Sequence, residues 1–379
     1  MRASSLSRPA AIALLAPAVL FSALLLSSVS ATASPATASP TSSAAARITC
    51  GSTIAADVRL STDLTCPGPT GLTLASGVTL DLGGHVLRGP GSTAGTALVV
   101  EVDNSTAVPT TTIRNGTITG WSLAVDTTDS GANILARQVR VSHTAGGLSG
   151  IGVTYTVRNS RLTDNTAAAG GLYSFVTVID STFVNNANAL GVGGGGSISV
   201  SGSVFRDNGT AVSCSEVAMA VTRTTFLRNK RAIEAWWCEG AKLTANAFTG
   251  NTSGYRTEWG PSDGRDVLLK NRFLNNGTAI DAKNSMYLKS NTFVGNKTGI
   301  TAIPYEEPLY NEMIELDSNT FTHNGDAVYI EWPSRLRATS AIGNTGYGIF
   351  APHATDLGGN IARGNGTQPQ CTGVSCQAR

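Results

Sequence analysis

One asparagine returns about every 21 residues from residue 165 onward. Its ten positions are Asn165, Asn186, Asn208, Asn229, Asn251, Asn276, Asn296, Asn324, Asn344 and Asn365. The steps between them are 21, 22, 21, 22, 25, 20, 28, 20 and 21 residues. A period held over this many repeats indicates a chain in which each repeat packs only against its neighbours.

Two further columns accompany these asparagines. An apolar residue precedes each one by two or three positions: Leu162, Phe183, Phe205, Phe226, Phe248, Phe273, Phe293, Phe321, Ile342 and Ala362. A small polar residue stands two positions before each apolar one: Ser160, Ser181, Ser203, Thr224, Asn246, Asn271, Asn291, Asn319, Ser340 and Asn360. A second apolar residue follows most asparagines by about four positions, as in Leu190, Val212 and Ile233.

The period selects the architecture. It is too short for helix-pair repeats and propeller blades, and the leucine-rich pattern is absent. Short strands joined by tight turns remain, stacked at about 4.8 Å per coil. We therefore predict an all-β parallel β-helix of about 13 coils, with the Phe column inside. The Asn column suits a turn, because Asn tolerates the left-handed backbone conformation and its amide can bond to neighbouring coils.

The N-terminus has the layout of a secretory signal peptide, which we assign to residues 1–33. Arg2 and Arg8 precede an apolar run, and Ala31-Thr32-Ala33 offers a cleavage site. A membrane anchor is the alternative, but the run is short and no stop-transfer charges follow it. We expect a secreted, extracellular protein with no membrane span in its mature form.

The remainder divides into a spacer and one domain. Residues 34–46 are rich in Ala, Ser, Thr and Pro, which predicts a disordered spacer. Residues 47–379 are expected to form a single β-helix, with an N-terminal cap at about 47–75 and a C-terminal cap at about 354–379.

Cysteine and charge counts constrain the mature chain further. Six cysteines in an exported chain indicate disulfides, and proximity favours Cys50–Cys66, Cys214–Cys238 and Cys371–Cys376. Loss of Arg2 and Arg8 lowers Lys+Arg from 27 to 25, equal to the 25 Asp+Glu. A neutral chain has no charge excess that would direct it to nucleic acid or an anionic membrane.

The repeats resemble those of a known superfamily. The register "N-x-F-x-x-N-x-x-x-I", as in Asn271 to Ile280, is similar to right-handed parallel β-helix proteins of the pectin-lyase-like superfamily. The segments Thr49 to Gly91 and Ala354 to Cys376 resemble the ends of secreted actinobacterial members. The resemblance implies a right-handed helix with disulfide-closed caps. It implies no single activity, since this fold carries lyases, hydrolases, epimerases and adhesins.

Known catalytic motifs are missing. The galacturonan-hydrolase set of Asn-Thr-Asp, Asp-Asp, Gly-His-Gly and Arg-Ile-Lys is absent, as is the tryptophan-rich motif of pectate lyases. We expect no cofactor and no metal. The four His and four Met do not cluster, which argues against copper. Calcium is left open, with no clear site.

One strip of the repeat is rich in aromatic and charged residues. The long steps after Asn251 and Asn296 mark insertions. The strip lies about ten residues after each core Phe, where these insertions leave the coil. Its predicted substrate-binding residues are Trp236, Trp237, Tyr255, Trp259, Tyr305, Glu306 and Trp332. Its candidates for catalysis are Lys283, Glu258, Glu331 and Arg256.

Rings beside charges are typical of polysaccharide grooves, since rings stack on sugar CH faces and charged groups bind hydroxyls or uronates. We therefore predict extracellular binding of a polysaccharide or cell-wall glycan by a monomer. Whether the chain is an enzyme stays open: a lyase would use Lys283 or Arg256, and a hydrolase two of the carboxylates. The alternative is a non-catalytic surface or structural rod without glycan chemistry.

Overall fold

The computed structural model describes residues 48–102, 108–258, 264–304 and 313–377. Every strand pairing in these ranges is parallel, and the ranges contain no α-helix. The chain forms a right-handed parallel β-helix of about 14 turns, which confirms the predicted fold class with about one turn more than expected. The predicted signal peptide and spacer lie outside the described residues. No helix with the length and apolarity to cross a membrane occurs in the described ranges.

Thirty-eight strands are described. The first nine form the N-terminal turns: β1 Ser52–Ile54, β2 Val58–Arg59, β3 Leu64–Thr65, β4 Thr70–Leu74, β5 Thr79–Asp81, β6 Val86–Arg88, β7 Thr96–Val100, β8 Thr110–Thr127 and β9 Asn133–Ile151. The central turns contain β10 Thr154–Arg158, β11 Arg161–Thr163, β12 Ala167–Ile179, β13 Thr182–Val184, β14 Asn188–Ser201, β15 Val204–Arg206, β16 Thr210–Ser215, β17 Ala218–Thr222, β18 Thr225–Leu227, β19 Arg231–Trp236, β20 Lys242–Thr244, β21 Ala247–Thr249, β22 Ser253–Glu258, β23 Asp266–Leu269, β24 Arg272–Leu274 and β25 Thr278–Asp281. The last turns contain β26 Met286–Lys289, β27 Thr292–Val294, β28 Thr298–Ala302, β29 Ile314–Asp317, β30 Thr320–Thr322, β31 Asp326–Ile330, β32 Ser334–Arg337, β33 Ser340–Ile342, β34 Ile349–Phe350, β35 Ala354–Asp356, β36 Asn360–Arg363, β37 Cys371–Thr372 and β38 Cys376–Gln377.

The central turns have three sides, which form three sheets along the axis; most sides are separate strands, whereas β12 and β14 each continue from the third sheet into the first. Strand β17 belongs to the sheet that we call A, β18 to sheet B and β19 to sheet C. The corners between the sheets are AB, BC and CA. Strand β18 pairs with β15 before it and β21 after it, and the same step repeats along each sheet. Equivalent residues of successive turns therefore lie in columns along the helix axis.

The Phe column fills the interior on the side of sheet B. Seven fully buried rings stack on one another: Phe183, Phe205, Phe226, Phe248, Phe273, Phe293 and Phe321. Their successive ring centroids are 4.3–5.4 Å apart and their planes differ by 2–14°. The strand spacing sets this distance, so each turn supplies one ring at van der Waals contact with the next.

The Asn column lies buried at the BC corner and bonds to the turns on both sides. The Asn276 Nδ2 donates to the Phe248 carbonyl of the preceding turn (3.0 Å) and to Asn296 Oδ1 of the following turn (2.9 Å). Its Oδ1 accepts from the backbone N–H and Nδ2 of Asn251 at 2.9 and 3.0 Å. The buried amide is thus satisfied only when three turns are in register.

Two details of the predicted columns are wrong. The left-handed residue is not the column Asn but the residue before it, as Asn275 (φ 52°) before Asn276 shows. The Asn amide is needed for the axial bonds, and its neighbour makes the turn.

The second error lies near the C-terminus. The buried pair there is Thr339 and Ala341, since Ala341 pairs with Phe321 and the Thr339 N–H donates to Asn360 Oδ1. Ser340 and Ile342 are less buried and lie one residue out of register.

Both ends of the helix carry a disulfide. Cys50–Cys66 and Cys371–Cys376 are formed, as is Cys214–Cys238 in the middle of the stack, so all three predicted pairs are confirmed. Strand β1 already pairs with β4, and β37 pairs with β34. The disulfides therefore join segments that extend the stack of turns.

Replacing one column amide should be far more damaging than replacing its exposed neighbour. In Asn276→Ala, the backbone N–H of Asn251 loses its acceptor, and the Phe248 carbonyl loses the bond from the Asn276 amide. We expect a loss of about 3–5 kcal/mol in the free energy of unfolding, measured by chemical denaturation. The matched control Asn275→Gly keeps the left-handed turn and should change stability by less than about 1 kcal/mol. Equal effects of the two variants would contradict a structural role for the amide column.

Candidate functional site on the outer face of sheet C

Two columns of outward side chains cover sheet C. They lie five and seven residues after the column asparagines, because side chains alternate between the two faces of a strand. The first column includes Ser213, Glu234, Arg256, Asp281, Thr301 and Tyr329. The second column includes Gly193, Ser215, Trp236 and Glu258, which are paired in register.

A cluster of opposite charges occupies three successive turns of this face. The Arg256 guanidinium contacts the Glu258 carboxylate on its own strand, and its Nε lies 3.5 Å from Asp281 Oδ2 on the next strand. One turn earlier, Arg231 Nε lies 3.0 Å from Glu234 Oε2. Because Arg256 contacts both Glu258 and Asp281, the two carboxyl groups lie within reach of one bound molecule.

Asp281 is the most perturbed carboxyl of this cluster. Burial raises its pKa above the ordinary value, and the nearby Glu258 carboxylate adds to the rise. The charges of Lys283 and Arg256 act in the opposite direction. Lys283 is held next to the cluster by its backbone N–H, which donates to Thr257 Oγ1 at 2.6 Å. A partly desolvated carboxyl beside cations is the kind of group that exchanges protons during catalysis.

Two indole rings lie directly beside the charges. Trp236 points outward from the end of β19 and pairs in register with Glu258, so it is one strand spacing from the cluster. Trp237 follows at the CA corner in the left-handed conformation (φ 53°). The two side chains are 50% and 48% exposed, which is high for residues of this size.

A disulfide fixes the backbone under these rings. Cys238 follows Trp237 directly, is buried, and bonds to Cys214 one turn earlier. The inward position after the corner is thus filled by sulfur, which leaves both indoles on the outside. The covalent link between turns limits the movement of the exposed pair.

The structure corrects two of the predicted substrate-binding residues. Tyr255 is fully buried, and its hydroxyl donates to Asp266 Oδ2 at 2.8 Å in the helix interior. Trp332 is 5% exposed and packs into the core. Tyr255 lies four residues after Asn251, which is the inward position that Ile233 and Ile280 occupy in other turns. Neither ring has a face available for a ligand.

The other predicted residues divide into three groups. Arg256, Glu258 and Lys283 are brought together with Trp236. Glu331 lies on the same face but three turns beyond Glu258, and its Oε1 accepts from the Tyr329 hydroxyl at 2.7 Å. Trp259, Tyr305 and Glu306 lie outside the described residues.

Sequence reasoning missed Asp281 and Glu234. Both lie five residues after a column Asn, whereas the strip that we followed corresponds to the seventh residue. Counting both outward positions from each asparagine would have found them.

Metal binding at this face would require several ligand side chains close together. Within the described ranges, no group of three or more His, Cys, Asp or Glu side chains is placed to hold a metal ion. The carboxylates of the cluster are instead paired with Arg256 and Arg231.

Comparison with known proteins agrees with this architecture. A family model described as "Right handed beta helix region" matches residues 169–307, which include most of β12, all of β13 to β28 and the whole charge cluster. No curated protein sequence matches the chain significantly.

Several solved structures align with it. The A-module of the mannuronan C-5 epimerase AlgE4 from Azotobacter vinelandii is 15% identical, with a TM-score of 0.36, covering 82% of this chain and 91% of the module. Tailspike protein 3 of bacteriophage CBA120 is 11% identical, with a TM-score of 0.32, covering 84% of this chain and 52% of the tailspike. The catalytic unit of an α-1,3-glucanase from Streptomyces thermodiastaticus is 14% identical, with a TM-score of 0.33, covering 83% of this chain and 62% of that unit.

The buried Asp266 makes stability depend on pH. Burial raises its pKa to about 7, against an ordinary value of 3.8, although Tyr255 and the Ala241 N–H donate hydrogen bonds to it. Between these two values the folded protein holds a proton that the unfolded chain releases, so this carboxyl makes stability fall as pH rises.

We therefore expect the stability of Asp266→Asn, relative to that of the wild type, to increase by a few kcal/mol from about pH 4 to about pH 8. Chemical denaturation at both pH values measures the gain. The control Asp180→Asn changes an exposed corner residue and should show no such difference. A gain for Asp266→Asn that is equal at both pH values would contradict the buried-carboxyl explanation.

Proposed function

We propose that this chain is an exported protein that binds polysaccharide on the outer face of sheet C, around Trp236, Trp237 and the Arg256 cluster. The observation that carries the proposal is the pair of half-exposed indoles next to partly buried, paired charges on a rigid sheet. Exposed aromatic clusters of this kind usually mark binding sites.

The chemistry of the face fits a sugar ligand. An indole offers a flat apolar surface to the CH face of a sugar ring. Carboxylates such as Glu258 accept hydrogen bonds from hydroxyl groups, and Arg256 can bind a uronate carboxylate through two parallel N–H donors. Because strands and a disulfide hold these groups, little conformational freedom is lost on binding.

Export is supported by the cysteines as well as by the N-terminal sequence. All six cysteines are paired and none is free. Disulfides of this kind form and persist in oxidising compartments. The polysaccharides of cell walls and biofilms also lie outside the cell.

Loss of the two indoles should weaken glycan binding. We expect Trp236→Ala and Trp237→Ala each to raise the Kd about tenfold for any polysaccharide that the wild type binds. Affinity electrophoresis on polygalacturonate, alginate, xylan and dextran finds the ligand, and calorimetry then measures the Kd. Leu357→Ala removes an exposed apolar side chain elsewhere (47% exposed) and should leave the Kd unchanged.

Two outcomes of this screen would contradict the proposal. The first is no retardation of the wild type by any of the four polymers. The second is retardation that both tryptophan variants retain in full. Either one would favour the rod without glycan chemistry.

Cleavage of the bound chain is the second candidate function, and the raised pKa of Asp281 favours it. In a hydrolase, Asp281 would act as the acid that donates to the glycosidic oxygen, and Glu258 would activate water or attack the sugar, as paired carboxyl groups do in such enzymes. In a lyase, Arg256 and Lys283 would neutralise the uronate while a base removes its C5 proton.

The variant Asp281→Asn separates cleavage from binding. If the chain cleaves its ligand, the wild type releases reducing ends or an unsaturated product that absorbs in the ultraviolet. We expect Asp281→Asn to lower this rate at least about a hundredfold and the Kd to change by less than about threefold. Asp326→Asn, on β31 of the same sheet, is the control. An unchanged rate in Asp281→Asn would contradict its role as a proton donor.

A further inference from the structure

A second exposed apolar cluster lies on the same side of the helix, nearer the N-terminus. Leu172 and Tyr173 are 52% and 59% exposed at the CA corner. Leu172 pairs in register with Ile151 before it and Gly193 after it, so it belongs to the outward column of sheet C that later contains Trp236.

Tyr173 and Trp237 occupy equivalent places in their turns. Each is the first residue of the CA corner, each has a left-handed backbone (φ 54° and 53°), and Gly194 and Glu216 fill the same place in the two turns between them. Bulky residues seldom adopt this conformation, and such outliers concentrate at functional sites. Three turns separate the rings, which is about 14 Å along the axis.

The outer face of sheet C beside these two rings is flat. The outward positions of sheet C in the two intervening turns are Gly191 and Gly193, then Ser213 and Ser215. We call these four residues the floor. None of them has a side chain larger than a hydroxymethyl group, so the face of sheet C between Leu172 and Trp236 carries no bulky side chain. At the CA corner itself, the exposed Glu216 lies between the two rings.

The Tyr173 ring extends along the axis over Gly194 of the next turn. A Cβ added to Gly194 would lie 3.2 Å from the Tyr173 Cε1 and Cζ atoms, so this edge of the ring lies against backbone that has no side chain. The Tyr173 residue remains 59% exposed. A ring held in this way offers an accessible surface on which a sugar ring can stack.

We propose that Leu172 and Tyr173 form a second glycan subsite, and that one polysaccharide chain lies along the helix axis from Tyr173 across the floor to Trp236 and Trp237. The inference rests on the proposed glycan binding and adds the ligand class: a long polymer rather than a short oligosaccharide. A short oligosaccharide at the tryptophans does not reach Tyr173, because the two rings are about 14 Å apart.

The test compares ligand length and position. The probes are the polygalacturonate, alginate, xylan or dextran that the wild type retards, and the trisaccharide of the same polymer. Tyr173→Ala should raise the Kd for the polymer about tenfold and leave that for the trisaccharide unchanged. Trp236→Ala should weaken both. The control Phe175→Ala removes an exposed ring around the corner on sheet A, and should change neither.

A further variant separates binding from folding. Tyr173→Gly should raise the melting temperature, because glycine adopts a φ of 54° without strain, while weakening polymer binding as Tyr173→Ala does. Lower affinity with higher stability cannot come from unfolding.

The outcomes distinguish the two proposals. If no polymer binds the wild type, the proposed function fails and this inference with it. If Trp236→Ala weakens binding and Tyr173→Ala does not, only the second subsite is overturned. A dimer in sedimentation velocity that Tyr173→Ala dissociates, with polymer affinity unchanged, would also overturn it and assign the cluster to self-association.

Discussion

Buried amides at the corners are the constraint on which the rest of the structure depends. An amide taken out of water without partners is strongly destabilising, and here each Asn finds its partners in the turns before and after its own. The Asn276 contacts to Phe248, Asn251 and Asn296 show that one side chain links three residues of the two neighbouring turns. A shift of register by one residue would break all of these bonds, so the column fixes the stacking.

Because the stacking is fixed, the position of a residue within the repeat determines where it lies on the surface. From Asn186 to Asn324, the residues five and seven positions after the column Asn lie on the outer face of sheet C, whatever their chemistry. Substitutions there do not touch the Phe column. One scaffold can therefore carry an indole pair in one turn, charges such as Arg256 and Asp281 in the next two turns, and the glycine and serine floor elsewhere. The site is composed of outward positions on a core that stays constant.

Much of the candidate site could be predicted from this periodicity. Trp236, Glu258 and Lys283 share the seventh position, and the structure brings them together with Arg256. Asp281 was overlooked although the same counting reaches it. Tyr255 was misplaced although the fourth position after the column Asn is inward in the two adjacent turns, where Ile233 and Ile280 lie. These errors came from following one outward column and from treating all aromatic residues near it as exposed.

The sequence by itself determined the parallel coil, the inward Phe and Asn columns and the three disulfides, because each depends on a repeated or local pattern. Only the tertiary structure decided whether residues at the CA corner are buried or exposed. Trp237 and Trp332 both lie eight positions after a column Asn, yet the first is 48% exposed and the second 5%. At Trp237 the backbone turns left-handed and Cys238 takes the inward place. Corner geometry varies with the length and contacts of each loop, and no period specifies it.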